Sequence, residues 1–167
     1  ALARLIAHYD VGELVSAKGI AEGVSNSNWL IETTGSGRGT NSGNSGANQR
    51  FILTMYERRI DLADLPFFLG LLDHLSEHGA PVPRTIHDRE GEASRTIGEK
   101  AVALIEFLPG VSVDSPTAAQ ARNVGRVLAE MHLAAMDFDG HRANDLGPAA
   151  SARVLAECGE DALARID

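Results

Sequence analysis

Three short stretches carry the residue types that hold a phosphorylated nucleotide. The first is Gly23-Val-Ser-Asn-Ser-Asn28, inside the run G-I-A-E-G-V-S-N-S-N-W-L-I-E-T-T from Gly19 to Thr34. Gly23 lets the backbone approach an anion closely, and Ser25, Asn26, Ser27 and Asn28 add short polar side chains beside the backbone N–H groups. The second is Phe51-Ile-Leu-Thr-Met-Tyr56, a strand that places Thr54 on the same face as Ile52 and Tyr56. The third is Ala103-Leu-Ile-Glu-Phe-Leu-Pro-Gly110, where the Glu106 carbonyl and the Leu108 N–H, just before Pro109-Gly110, can present backbone groups to adenine. Alone, the first stretch reads more readily as an ordinary polar hairpin turn. Alone, the third reads equally well as a buried strand ending in a Pro-Gly turn. Together and in this order they supply a turn for phosphates and a strand end for a nucleotide base, with no basic side chain within the intervening run Phe51–Tyr56.

The elements that must position these residues follow from the hydrophobic pattern. Leu2, Leu5, Ile6 and Tyr9 predict a short amphipathic helix within residues 1–14. Val15–Ile20 and Trp29–Thr34 predict two strands, and Arg50–Tyr56 a third. Between them, residues 35–49 hold five Gly, three Ser and three Asn in fifteen positions, a composition that predicts a flexible hairpin insert. It lacks the G-x-x-x-x-G-K-[ST] pattern of a phosphate loop. A helix over about 64–78 is expected from Leu65, Phe68, Leu69, Leu72 and Leu75, capped by Asp61 or Asp64 and stopped by Gly79. Thr85–His87 and Ala93–Ile97 read as a hairpin turning at Asp88–Glu92, and Ala101–Phe107 as a buried strand. Ser115-Pro116 signals the start of a helix to about Ala135, and Ser151–Ile166 a final helix. Strands followed by helices make the fold class α+β.

Bulk properties exclude several functions. The chain of 167 residues carries a net charge of −8, which argues against a nucleic-acid or anionic-membrane partner. The single Cys158 cannot form an internal disulfide, and no run approaches the roughly 20 apolar residues of a membrane span. A cytoplasmic protein is expected. The chain has no initiator Met and stops within a helical pattern, so a fragment lacking both ends is also expected.

The runs G-I-A-E-G-V-S-N-S-N-W, F-I-L-T-M-Y-E-R-R, D-L-P-F-F-L-G-L-L-D-H-L, F-L-P-G and G-R-V-L-A-E-M-H-L-A together resemble the homoserine kinases of the aminoglycoside-phosphotransferase-like, protein-kinase-like superfamily. The resemblance covers nearly all of residues 5–147 apart from the insert. It implies a kinase-like small lobe over residues 1–108, then a hinge and the first helices of a truncated large lobe over 109–167. It further implies MgATP as cofactor and L-homoserine as the small-molecule substrate, phosphorylated on its hydroxyl for threonine biosynthesis. Other small alcohols (choline, methylthioribose or an aminoglycoside) and a non-catalytic nucleotide-binding module are the alternatives. The family's catalytic loop, H-x-D-x-x-x-x-N, is implied to lie beyond Asp167, so no catalytic or metal-binding residue is expected within this chain.

On this basis Gly23, Ser25, Asn26, Ser27, Asn28 and Thr54 are expected at the phosphates, and Glu106 and Leu108 at adenine. Thr54 stands where relatives in the superfamily often carry Lys or Arg, which leaves the neutralisation of the phosphates to other groups. Arg58 is one candidate at the strand end. His8-Tyr-Asp10 resembles H-x-D, but Val15 occupies the Asn position, and His141-Arg-Ala-Asn-Asp145 also fails the pattern. His132 is expected to pack in a core, as are Trp29, Phe67 and Phe68. His74, His78 and His87 show no metal-like spacing with Cys or paired carboxylates.

Overall fold

The computed structural model describes residues 1–21, 26–35, 48–57, 61–144 and 147–159. The Arg58 position and most of the Gly/Ser/Asn-rich insert lie outside them. A short helix α1, Leu2–Ile6, leads into β1, Leu14–Ile20, β2, Asn26–Thr33, and β3, Gln49–Tyr56. Helix α2, Leu65–Glu77, follows, then β4, Thr85–Ile86, β5, Arg95–Ile97, and β6, Lys100–Glu106. Helices α3, Ala118–Ala134, and α4, Pro148–Cys158, complete the described chain. None of the helices among the described residues is long and apolar enough to cross a membrane.

The strands form an antiparallel sheet in the order β1-β2-β3-β6-β4, with β5 also paired to β6. β6 is therefore central, and its residues Val102, Ala103 and Leu104 are fully buried. Its continuous apolar run is what a strand covered on both faces requires. One face packs Leu53, Phe51, Ile31, Val102 and Leu104 against Leu5, Ile6, Tyr9 and Val11. The other packs Ala101 and Ala103 against Leu65 and Leu69 of α2, with Tyr56, Ala93 and Ile105 at the margin. Small Ala residues there allow the helix to approach the sheet closely.

Several boundaries differ from the sequence expectation. β2 begins at Asn26 rather than Trp29, because Asn26, Ser27 and Asn28 pair with Tyr56, Met55 and Thr54. Half of the expected polar loop is thus strand. β4 and β5 do not form a hairpin with each other; both pair with β6. The turn between them exists, built on Asp88, whose carboxylate accepts hydrogen bonds from the Glu90 and Glu92 N–H groups at 2.9 Å each. The α3 cap is Thr117 rather than Ser115. Thr117 and Gln120 form a reciprocal capping box, which satisfies two orphan N–H donors at once. Gly12 adopts φ +85°, and a Cβ there would lie 2.6 Å from the Gly35 carbonyl oxygen. That close approach lets Glu13 and Thr34 exchange hydrogen bonds that tie the start of β1 to the end of β2.

Candidate functional site

The β2–β3–β6 register decides which candidate residues meet. Asn28 lies opposite Thr54, which lies opposite Ala103; Leu30, Ile52 and Ile105 form the next row. Because side chains alternate along a strand, these rows share the face covered further along by α2. The Thr54 hydroxyl donates to Asn28 Oδ1 at 2.9 Å. At the position where a basic residue is usual in the superfamily, the hydroxyl is therefore committed to a β2 amide. Asn26 shares this face, and its Oδ1 is buried with no partner among the described residues. A buried unpaired polar atom is costly, on the order of 1–3 kcal/mol; this amide oxygen accepts only, so a donor and not a phosphate oxygen would satisfy it.

Ser27 points to the opposite face. Its hydroxyl donates to Glu57 Oε1 at 2.9 Å, and Glu57 Oε2 lies 2.6 Å from Lys100 Nζ. The root of the polar loop is thereby tied through Glu57 to the start of β6. The sequence reading missed Glu57 and Lys100, since only sheet pairing brings residues so distant along the chain to one end of the sheet. Gly23 and Ser25 lie outside the described residues.

At the other end of β6 the hinge candidates are anchored by groups that were also missed. The Glu106 carboxylate receives Arg84 Nε at 3.1 Å and Arg84 Nη2 at 3.2 Å, and also the Arg84 backbone N–H at 3.2 Å. The Glu106 N–H donates to the Arg84 carbonyl at 2.9 Å. Burial works against ionisation of Glu106, but the Arg84 hydrogen bonds and charge outweigh it and hold its carboxyl below the ordinary value. Phe107 carries the Arg50 guanidinium 4.3 Å above its ring. Leu108, by contrast, is exposed, and its N–H has no partner among the described residues. The two residues before Leu108 are held while its own donor stays available.

A cavity of about 510 Å³ opens elsewhere, between α1 and β5, lined by Leu5, His8, Trp29, Leu53, Met55 and Arg95 among others. Trp29, Leu53 and Met55 alternate with Asn28 and Thr54, so this cavity lies across the sheet from the candidate site.

The excluded motifs find structural roles. Tyr9 of the H-x-D look-alike is fully buried and bridges to Asp88. Burial, and then the nearby Asp88 carboxylate, raise its phenol pKa, with Arg95 opposing. Asp88 in turn is ion-paired with Arg95. Arg142 Nε meets Asp64 Oδ2 at 2.6 Å and its guanidinium lies over Phe68. Two core expectations do not hold. Phe68 is exposed on α2, and His132 is exposed on α3, where Val124 and Leu128 on the same helix face are also uncovered among the described residues. A periodic apolar stripe reports a face that can be buried, and here nothing described lies against it. The histidine pattern also differs: His74 and His78, four residues apart, meet the sequence-distant Asp137 at the end of α2.

Comparison with known proteins decides the family. Residues 16–166 match the phosphotransferase enzyme family. The chain belongs to that family. Similar members of the phosphotransferase family include the homoserine kinase of Hyphomonas neptunium, 44% identical over 97% of this chain and 45% of that protein. The homoserine kinases of a Caulobacter species and of Phenylobacterium zucineum are 46% and 47% identical, each over 96% of this chain and 46% of their own length. The chain thus spans about half the length of the curated relatives it matches. A spectinomycin phosphotransferase solved in complex with ADP and spectinomycin has the same fold, with a TM-score of 0.57 over 80% of this chain and 37% of that chain at 15% identity. The antiparallel sheet with α2 against it is the kinase-like small lobe of this phosphotransferase family.

Proposed function

We propose that this chain holds the nucleotide in an ATP-dependent kinase that phosphorylates the hydroxyl of L-homoserine, yielding O-phosphohomoserine for threonine biosynthesis. The observation that carries this reading is the 44–47% identity to homoserine kinases across nearly the whole chain. We assign residues 1–108 to the nucleotide-binding lobe and 109–167 to the hinge and the first part of the helical lobe.

In this reading the Gly23–Asn28 segment faces the phosphates. The Asn28–Thr54 pair fronts the ligand on the α2 face. Ser27, through Glu57 and Lys100, holds the base of that segment. Glu106 and Leu108 present their backbone groups to adenine. The Arg84 clamp on Glu106 fixes one, and exposure leaves the other free to donate. Bound MgATP supplies the phosphoryl group and its activating charge. The residues of this chain bind and orient it. The residue that positions or deprotonates the homoserine hydroxyl is assigned to a loop outside residues 1–167.

The test is ADP release by the full-length gene product with MgATP and L-homoserine, beside L-serine, L-threonine, choline, methylthioribose and kanamycin. Selective turnover of homoserine is expected. Turnover of a different alcohol would overturn the substrate and retain the nucleotide site. Nucleotide binding with no turnover of any of them would favour a non-catalytic module.

A further inference from the structure

We infer that His74, His78 and Asp137 form a binding site for a divalent transition-metal ion, of the Zn²⁺ class, joining the C-terminal end of α2 to the turn after α3. This inference does not depend on the kinase reading, because none of the three residues belongs to the candidate nucleotide site.

The geometry is that of a nearly assembled site. His74 lies in the last turn of α2 and His78, four residues on, is its C-cap, so the two imidazoles stand together at the helix end with ring centroids 4.1 Å apart. Asp137 sits in the 3-10 turn Ala135–Asp137 directly after α3. Its Oδ1 is 3.1 Å from His74 Nε2 and its Oδ2 is 3.7 Å from His78 Nε2. One ligand atom from each residue falls within 4.8 Å of the other two. Zn²⁺ bonds of about 2.0–2.1 Å in tetrahedral geometry hold ligand atoms about 3.3 Å apart, so the side chains need only small adjustments to share an ion.

The proton positions suit an ion at His78 and must change at His74. His78 Nδ1 lies 2.8 Å from the His74 carbonyl oxygen. A carbonyl only accepts, so Nδ1 carries a proton and Nε2 is the nitrogen left to meet an ion. Orientation of a ligating imidazole by a carbonyl on its other nitrogen is the usual support of a metal site. His74 Nε2 lies 2.8 Å from the Ala134 carbonyl oxygen and 3.1 Å from Asp137 Oδ1, both acceptors, so it carries the proton, which an ion binding there displaces to Nδ1 or to solvent. Two imidazoles and one carboxylate suit Zn²⁺, Ni²⁺ or Cu²⁺ and not the all-oxygen preference of Mg²⁺ or Ca²⁺. The Asp137 side chain is 70% exposed and that of His78 42%, so an ion can enter and a water can complete its coordination. Because α2 lies on the sheet and Asp137 follows α3, a bound ion would restrain one against the other.

The experiment uses the metal-stripped full-length protein in a Cys158→Ser background, which removes a competing thiolate. Zn²⁺ alone is titrated by calorimetry and Co²⁺ by its visible d–d spectrum, each with millimolar Mg²⁺ present. One saturable site at micromolar Zn²⁺ is expected, with a rise in Tm. His78→Gln and Asp137→Asn, both at exposed positions, should each weaken it by about tenfold or more. The apo Tm of these variants reports whether they fold, and either one suffices for the comparison. Absence of saturable binding, or affinity unchanged in a folded variant, would overturn the site and leave the cluster as an ion-paired helix terminus.

Discussion

The Arg84–Glu106 clamp gives a prediction whose size follows from its exposure. The ion pair is bidentate, with contacts of 3.1 and 3.2 Å, which places it above an ordinary surface pair. Its side chains are nevertheless 54% and 31% exposed, so water and salt screen it and the several-kcal/mol cost of breaking a buried pair does not apply. A double-mutant cycle of Arg84→Met and Glu106→Gln should therefore give a coupling of about 0.5–1 kcal/mol. Glu106→Gln should cost more than Arg84→Met, because the Arg84 backbone N–H still reaches the carboxylate when only the guanidinium is removed. The pH dependence follows from the sign of the shift. Glu106 titrates lower when folded than its ordinary value of 4.5. Its stabilising contribution is complete above that ordinary value and is lost as pH falls through the depressed folded one. Urea denaturation of the four proteins at neutral pH and at successively lower pH, in about 0.05 M and 1 M salt, tests all three statements. A coupling above about 2 kcal/mol, a coupling indifferent to salt, or a larger cost for Arg84→Met would refute the reasoning.

Three further expectations can be checked in parallel. Leu108→Pro removes the exposed N–H and should weaken ADP binding about 2–10-fold by calorimetry, whereas Leu108→Ala should stay within about twofold; equal affinities for Pro and wild type would remove Leu108 from the adenine contact. Leu104, fully buried at the centre of the sheet, should cost about 2–5 kcal/mol on truncation to Ala, and a loss below about 1 kcal/mol in urea denaturation would contradict its packing. His87 is raised above its usual 6.5, by its hydrogen bond to the Gly91 carbonyl and, against some burial, by the Asp73 carboxylate at 2.7 Å. Its contribution is complete below about 6.5 and is lost as pH rises through the higher folded value. At 44% exposure it should be worth under about 1 kcal/mol, so His87→Gln should remove a shallow decline in Tm above that pH, and an unchanged profile would exclude the linkage.

Local pattern made much of this protein legible. Strand alternation in Leu53-Thr-Met-Tyr56 assigned Thr54 to its face correctly, the apolar run Ala101–Ile105 marked the central strand, and 3,4 spacing located α2. These are properties of neighbours along the chain, fixed by the periods of strand and helix. The short motifs around Gly23, Tyr56 and Gly110 also carried the family resemblance that the comparisons bear out.

Only the tertiary structure decided which distant residues meet. The strand register drew Asn26–Asn28 out of the loop and split them between two faces, with Asn28 on Thr54 and Ser27 on Glu57. Sheet order put Arg84 beside Glu106 and sent β4 and β5 separately to β6. The packing of α2 beside the end of α3 brought Asp137 to His74, 63 residues away. No spacing in the sequence encodes such contacts, because burial and hydrogen bonding reward them only after the chain has closed the loops between them. The amino-acid order by itself set most of the elements, the face of Thr54 and the family; long-range pairing set strand boundaries, the partners of β4 and β5, and the geometry at the loop root, the hinge and the histidine cluster.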